Sequence, residues 1–300
     1  MERSSGRRSP LRVVLLVSLS ILSLMLATAT SAGSFTELVV FGESLSDTGN
    51  LFAATGGAIP PSPPYFEGRF SNGPIWVDYL ASALDLSVDD FAVSGALTGR
   101  TNRFDDPSIP VEFPGLLDEI DAFVGLNPAG GDRHTLYAVW AGADDFRASP
   151  SPATILPAVQ NLAHAVDTLT RHGARHILVF NMPDLGLTPA GVASGFSTEL
   201  TALSIAFNHA LKSTLKGRGH HVIVVDIFDL VNDIVADPSK YELTDVSTPC
   251  LDLATLSLCA DPDEHLFWDP LHPTTRGHQI LADRLQDLVA KGHHRRRHGD

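Results

Sequence analysis

Short apolar runs recur along the chain at Leu38-Val39-Val40-Phe41, Leu136-Tyr137-Ala138-Val139-Trp140, Ile177-Leu178-Val179-Phe180 and Val222-Ile223-Val224-Val225. A run that is apolar on both faces suits a strand covered on both sides of a parallel sheet. Between the runs the apolar spacing lengthens to that of a helix. Ile75, Trp76, Tyr79, Leu80, Ala83 and Leu84 follow Pro74, a residue suited to a helix start, and Leu156, Val159, Leu162, Ala163, Val166 and Leu169 repeat the spacing. A third helix is predicted through Leu200, Leu203, Phe207, Ala210 and Leu211, with Gly217 and Gly219 beyond its end. A fourth follows Thr275 through Ile280, Leu281, Leu285 and Leu288.

Strands alternating with helices predict a parallel sheet between helical layers, with ligands held outside the carboxyl ends of the strands. Ser44, Gly95, Asp144 and Asp184 all lie just past predicted strand ends, which puts them on one rim. Asp184 and Asp226 read as turn or cap residues. Pro60, Pro61, Pro63 and Pro64 exclude a helix from there to Phe70 and predict a rim loop. Its aromatics, Tyr65, Phe66 and Phe70, either line an acyl or aryl pocket or pin the loop to the core.

Two segments carry chemistry. Phe41-Gly42-Glu43-Ser44-Leu45-Ser46-Asp47-Thr48-Gly49-Asn50 sets a serine where a strand turns into a helix, and Trp268-Asp269-Pro270-Leu271-His272-Pro273 supplies a carboxylate and an imidazole three residues apart. A serine hydroxyl attacks an ester only when a neutral imidazole takes its proton, and a carboxylate fixes that imidazole's tautomer. Ser44, His272 and Asp269 therefore read as nucleophile, base and acid. Ser46, Asp47 or Thr48 can cap the following helix in place of Ser44. The Gly-x-Ser-x-Gly elbow of α/β-hydrolases occurs nowhere in the chain.

These segments resemble the GDSL, or SGNH, family of lipases and esterases. The blocks that carry the resemblance are Gly42-Glu43-Ser44-Leu45, Ala92-Val93-Ser94-Gly95-Ala96, Gly142-Ala143-Asp144-Asp145 and Asp269-x-x-His272; Glu67-Gly68-Arg69-Phe70-Ser71-Asn72-Gly73-Pro74-Ile75-Trp76 and Pro183-Asp184-Leu185-Gly186-Leu187-Thr188-Pro189 are similar to its exported branch. The resemblance implies a three-layer α/β/α sandwich with a flavodoxin-like parallel sheet. It also implies hydrolysis of carboxylic esters through an acyl-Ser44 intermediate, with acyl transfer as the variant in which an alcohol replaces water. The oxyanion hole would comprise the backbone N–H groups of Ser44 and Gly95 and the side chain at position 144. Glu43 stands where the family usually has Asp, and Asp144 where it has Asn. An ionised Asp only accepts hydrogen bonds, so Asp144 would have to be protonated to donate. That substitution motivates the alternative reading, a weakly active or non-catalytic member that binds lipid or glycan.

Composition narrows the setting. A basic start at Arg3, Arg7, Arg8 and Arg12, an apolar run from Val13 to Ala27 and small residues up to Ala32 predict a cleaved signal peptide over residues 1–32, leaving a single hydrolase domain at 33–290 and a basic, disordered tail at 291–300. The formal charge of −14 becomes more negative once the leader and its arginines are removed, which disfavours nucleic acid and anionic membranes as partners. The expected product is a secreted or periplasmic monomer without stable membrane insertion, acting on a small-molecule or lipid ester. Cys250 and Cys259, the only cysteines, are close in sequence in the exported part and are expected to form a disulfide that stiffens the loop leading to Asp269 and His272. No His-Glu-x-x-His or phosphate-cradling glycine loop is present, so no metal or cofactor is expected.

Overall fold

Along the strand Leu38–Phe41, Val39 and Phe41 enter one buried cluster while Leu38 and Val40 enter another. Successive side chains of a strand point to opposite faces, so this strand is apolar throughout because both faces are covered. The computed structural model describes residues 35–106 and 112–297, with side chains described through residue 290. The expected leader lies outside the described residues.

In chain order the elements are β1 (Glu37–Gly42), α1 (Asn50–Ala54), α2 (Trp76–Leu84), β2 (Ser87–Asp90), α3 (Leu116–Leu126), β3 (Thr135–Trp140), α4 (Ala143–Ala148) and α5 (Pro152–Arg171), then β4 (Ile177–Phe180), α6 (Pro189–Ser194), α7 (Ser197–Leu215), β5 (Val222–Val225), α8 (Ile227–Ala236), β6 (Asp245–Pro249), β7 (His265–Phe267) and α9 (Thr275–Arg297). The main sheet has the order β2-β1-β3-β4-β5, and its paired strands are all parallel. This is the flavodoxin-like doubly wound order. Helices α3, α5 and α7 pack on the face holding Val39 and Phe41, through Ile120, Phe123, Leu162, Val166, Phe207 and Leu211. On the other face, α2, α8 and α9 contribute Trp76, Leu80, Ile227, Leu281 and Leu285. The molecule is thus a three-layer α/β/α sandwich, in which each fully buried large apolar side chain contributes about 1.5–3 kcal/mol.

The four apolar runs are strands, and the four helical spacings are α2, α5, α7 and α9. Helix α2 begins at Trp76, two residues beyond Pro74, where Asp78 accepts the Ile75 N–H at 2.8 Å. In α5, Pro152 occupies the first turn and Ser151 accepts the Ala153 N–H. Edge strand β2 has no apolar run to announce it, because Ser87, Val88 and Asp89 are exposed. Helix α9 continues to Arg297, into the basic stretch at 291–300 expected to be disordered.

Candidate active site

Strand β1 delivers Ser44 through a turn that requires glycine before it. Gly42 has φ of +143°, and a Cβ there would lie 1.9 Å from the Trp140 carbonyl oxygen of β3. The Ser46 and Asp47 N–H groups both donate to the Glu43 carbonyl, at 2.8 and 3.1 Å, which folds the turn tightly around Ser44. Asp47 caps α1: one carboxylate oxygen accepts the Gly49 and Asn50 N–H groups, and the other accepts Leu51 N–H and both the N–H and hydroxyl of Ser94. Ser44 is released from capping, as the sequence suggested.

Ser44 Oγ lies 2.8 Å from His272 Nε2, and His272 Nδ1 lies 2.7 Å from Asp269 Oδ2. The same Oδ2 accepts the Tyr65 hydroxyl at 2.7 Å, while Oδ1 accepts the Leu271 and His272 N–H groups at 2.8 Å each. Burial alone would raise the Asp269 carboxyl. The His272 charge, its ring hydrogen bond and the His272 and Leu271 N–H donors outweigh burial and bring it down to about 2. The Tyr65 phenol is pushed well above its usual value by burial and then by the Asp269 charge, so it stays protonated and donating. Ser44, Asp269 and His272 are 8, 3 and 7 % exposed, so the trio sits deeper than an open rim would place it.

The acid and base sit on a loop tied down from two sides. Trp268 N–H donates to the His272 carbonyl at 2.8 Å, and the Cys250 and Leu251 N–H groups donate to the Phe267 and Trp268 carbonyls. Cys250 and Cys259 form the expected disulfide, so the closed loop is hydrogen-bonded directly to the chain that enters Asp269.

At the second turn Gly95 has φ of +84°, and a Cβ would come within 2.5 Å of Asn102 Oδ1 and of the Phe104 ring. Among the described residues, neither the Gly95 nor the Ser44 N–H has a protein acceptor. Asp144 departs from expectation. Its Oδ1 accepts Arg103 Nη1 at 3.0 Å and Arg147 Nη1 at 3.2 Å, with the carboxylate side chain only 3 % exposed. Two ion pairs make it an acceptor, not the donor that the resemblance implies at this position. Glu43 Oε2 accepts the Asp144 N–H at 3.1 Å, and burial followed by the Asp144 charge raises the Glu43 carboxyl well above the usual range. The Glu43 carboxyl therefore joins the nucleophile turn to α4.

A cavity of about 930 Å³ adjoins the site, lined by Leu271 of the triad loop, Arg103, Phe146 and Arg147, and by Ile155, Leu185, Leu200 and Leu203 among others. Tyr65, Phe66 and Phe70 are not part of this lining. Tyr65 instead holds Asp269, the Phe70 ring lies 4.8 Å from the His272 ring, and Phe66 lies under the Arg69 guanidinium. Tyr65 thus ties the loop to the acid, and Phe70 sits against the base. Asp184 and Asp226 cap their turns, accepting from Gly186 and Asp229 N–H. Sequence reasoning missed Glu119, Arg103 and Arg147. Asp144 and Arg147, three apart on α4, form a pair visible in the sequence; Arg103 meets Asp144 across 41 residues and carries no local signal. Among the described residues no cluster of His, Cys, Asp and Glu could hold a metal ion.

A family model described as GDSL-like lipase/acylhydrolase matches residues 38–285. A phosphatidylcholine-sterol acyltransferase of Aeromonas hydrophila is 27% identical over 88% of this chain and 93% of its own length. A thermolabile hemolysin of Vibrio parahaemolyticus is also 27% identical, over 83% of this chain, which spans 62% of that protein. Among solved structures, a member of the lipolytic G-D-S-L family from Veillonella parvula superposes with a TM-score of 0.52, covering 85% of this chain and 98% of its own at 14% identity, a likeness of fold.

Proposed function

The chain belongs to the family of GDSL-like lipases and acylhydrolases, enzymes that act on ester bonds, and we propose that it works as an exported serine esterase or lipase through an acyl-Ser44 intermediate. The observation that carries this reading is the continuous relay from Ser44 Oγ to His272 Nε2 and from His272 Nδ1 to Asp269. In the forward step Ser44 Oγ bonds to the ester carbonyl carbon, its proton passes to His272 Nε2, and the carbonyl electron pair moves onto oxygen. Collapse expels the alcohol, which takes the proton from His272. Water repeats the sequence to release the acid. The free N–H groups of Ser44 and Gly95 are the backbone donors for the transient oxyanion.

The cavity beside Leu271 supports an acyl chain as the group housed next to Ser44, because apolar side chains such as Phe146, Ile155, Leu185, Leu200 and Leu203 make up most of its walls. Acyl transfer to an alcohol is the second reading, favoured by the likeness to a phosphatidylcholine-sterol acyltransferase. The assembled relay speaks against a purely binding role. Export is supported by the Cys250–Cys259 disulfide, and among the described residues no helix is long and apolar enough to cross a membrane.

A panel of p-nitrophenyl esters of increasing chain length, run on the protein and on Ser44→Ala with and without an added sterol, tests the reading. Hydrolysis that persists in full after Ser44→Ala would remove it.

A further inference from the structure

We propose that Arg103 is a further catalytic residue, whose guanidinium, held in place by Asp144, supplies the side-chain donor of the oxyanion hole. The inference rests on the Ser44 reading and adds the donor that position 144 cannot provide.

Asp144 Oδ1 is engaged by two guanidinium groups, so the side chain at position 144 offers no N–H. Left alone, a carboxylate there would repel the developing negative charge. Arg103 and Arg147 both pair with that carboxylate and offset its charge. Both arginines line the cavity, and the backbone distinguishes them. The Arg103 N–H donates to the Gly95 carbonyl at 2.8 Å, so the residue is fixed at one end to an oxyanion-hole turn and at the other to Asp144. Arg147 has no such tether; it sits on α4, three residues beyond Asp144.

The connections form a chain from the nucleophile turn to the Gly95 turn. Glu43, next to Ser44, accepts the Asp144 N–H; Asp144 accepts Arg103; Arg103 donates back to Gly95. Only one guanidinium nitrogen, Nη1, is spent on Asp144. Among the described residues the Nε and Nη2 groups of Arg103 have no protein acceptor, and the residue lines the cavity beside Leu271. A guanidinium presents five N–H groups in a fixed fork, so one edge can hold Asp144 while another meets the substrate.

In the step itself the Ser44 Oγ–carbon bond forms as the carbonyl π bond breaks, and its electron pair comes to rest on oxygen. That oxygen accepts hydrogen bonds from the Ser44 and Gly95 N–H groups and from Arg103. No proton leaves Arg103. The Ser44 proton goes to His272 and then to the leaving alcohol, so the guanidinium stabilises the charge only while it exists.

Arg103→Met is the decisive variant, assayed with a p-nitrophenyl ester alongside fluorophosphonate labelling of Ser44 and a thermal melt. The expected result is a kcat lower by about 10²–10³ with KM changed less than a few-fold, as for loss of one oxyanion donor. Arg103→Leu repeats the measurement in a different packing should Arg103→Met melt early. The double variant Asp144→Ala/Arg103→Met separates donation from simple charge neutralisation, because it removes the repelling carboxylate as well. It is expected to stay as slow as the single variant. An unchanged kcat in Arg103→Met, a loss confined to KM, or recovery in the double variant would each overturn the assignment. A wild-type protein whose Ser44 is not labelled would instead sink the underlying esterase reading, so the two failures are distinguishable.

Discussion

Glu119 Oε2 accepts the Gly42 N–H at 2.8 Å across 77 residues, while the other oxygen of the same carboxyl accepts the Val93 N–H at 3.1 Å. One side chain from α3 thereby joins the end of the nucleophile strand to the turn that carries Gly95. Burial raises this carboxyl well above the usual range, against the pull of the two N–H donors. Asp47 makes a second cross-link by accepting from Ser94. Together with the Val93 N–H, which also donates to the Gly42 carbonyl at 3.0 Å, these buried carboxyl groups tie the Ser44 turn to the Gly95 turn.

Glu119→Gln should expose this dependence. The amide keeps one acceptor oxygen and turns an NH2 toward either Gly42 or Val93, a mismatch that costs about 1–3 kcal/mol. Urea melts should report that loss. Because the hole loosens, kcat should fall by about tenfold or more while Ser44 is still labelled by a fluorophosphonate. Full activity with full stability would show that the two turns hold their spacing without the clamp.

The readability of the site follows the range of its interactions. Ser44, Asp269 and His272 could be named because each lies in a short block whose residue types are demanded by the reaction. The strands β1, β3, β4 and β5 were legible because burial on both faces leaves an unbroken apolar run. Helix α3 carries Leu116, Ile120 and Phe123 at helical spacing over only eleven residues, and β2 has no apolar run at all. Arg103 and Tyr65 are ordinary residues in loops whose partners, Asp144 and Asp269, lie 41 and 204 residues away. No local pattern encodes such pairs, since the fold creates them.

Tyr65→Phe should separate orientation of the acid from binding of substrate. The substitution removes a 2.7 Å hydrogen bond to Asp269 Oδ2 and leaves the ring in its buried place. Hydrogen bonds to charged groups are worth about 1.5–3 kcal/mol. With the His272 bond and two backbone donors still holding Asp269, kcat is expected to drop about tenfold with KM unchanged. Steady-state kinetics on short-chain esters decide it: a rise in KM alone would make Tyr65 a substrate contact instead.

Reducing the Cys250–Cys259 bond should lower stability and activity together. A closed loop of this size contributes roughly 2.5–3 kcal/mol in the chain-entropy account. Its backbone also pairs with Phe267 and Trp268, immediately before the acid. Differential scanning calorimetry with and without reductant should show an earlier transition, and the ester assay a lower kcat. Unchanged activity in a destabilised protein would confine the disulfide to holding the fold.

The pH dependence of stability should turn on Asp90 and Asp269, which pull in opposite directions. Asp90 is raised to about 7, chiefly by burial and further by Asp47, although hydrogen bonds from the Thr48 hydroxyl and from the Thr48 and Ala92 N–H groups oppose this. A carboxyl raised in the folded state contributes stability that is fully present below about pH 4 and is lost as pH climbs through 7, a loss approaching about 4 kcal/mol. Glu43 and Glu119, also raised, add to the same decline. Asp269, held down to about 2, contributes stability that is present above about pH 4 and disappears as pH falls toward 2. Stability from these groups should therefore peak near pH 4–5 and fall on either side. Urea unfolding of the protein and of Asp90→Asn between pH 4 and 8 provides the check. The Asn variant should be less stable at pH 4, because its amide NH2 faces the Thr48 N–H, yet lose less on going to pH 8. Parallel curves for the two proteins would place the neutral-pH decline on other groups.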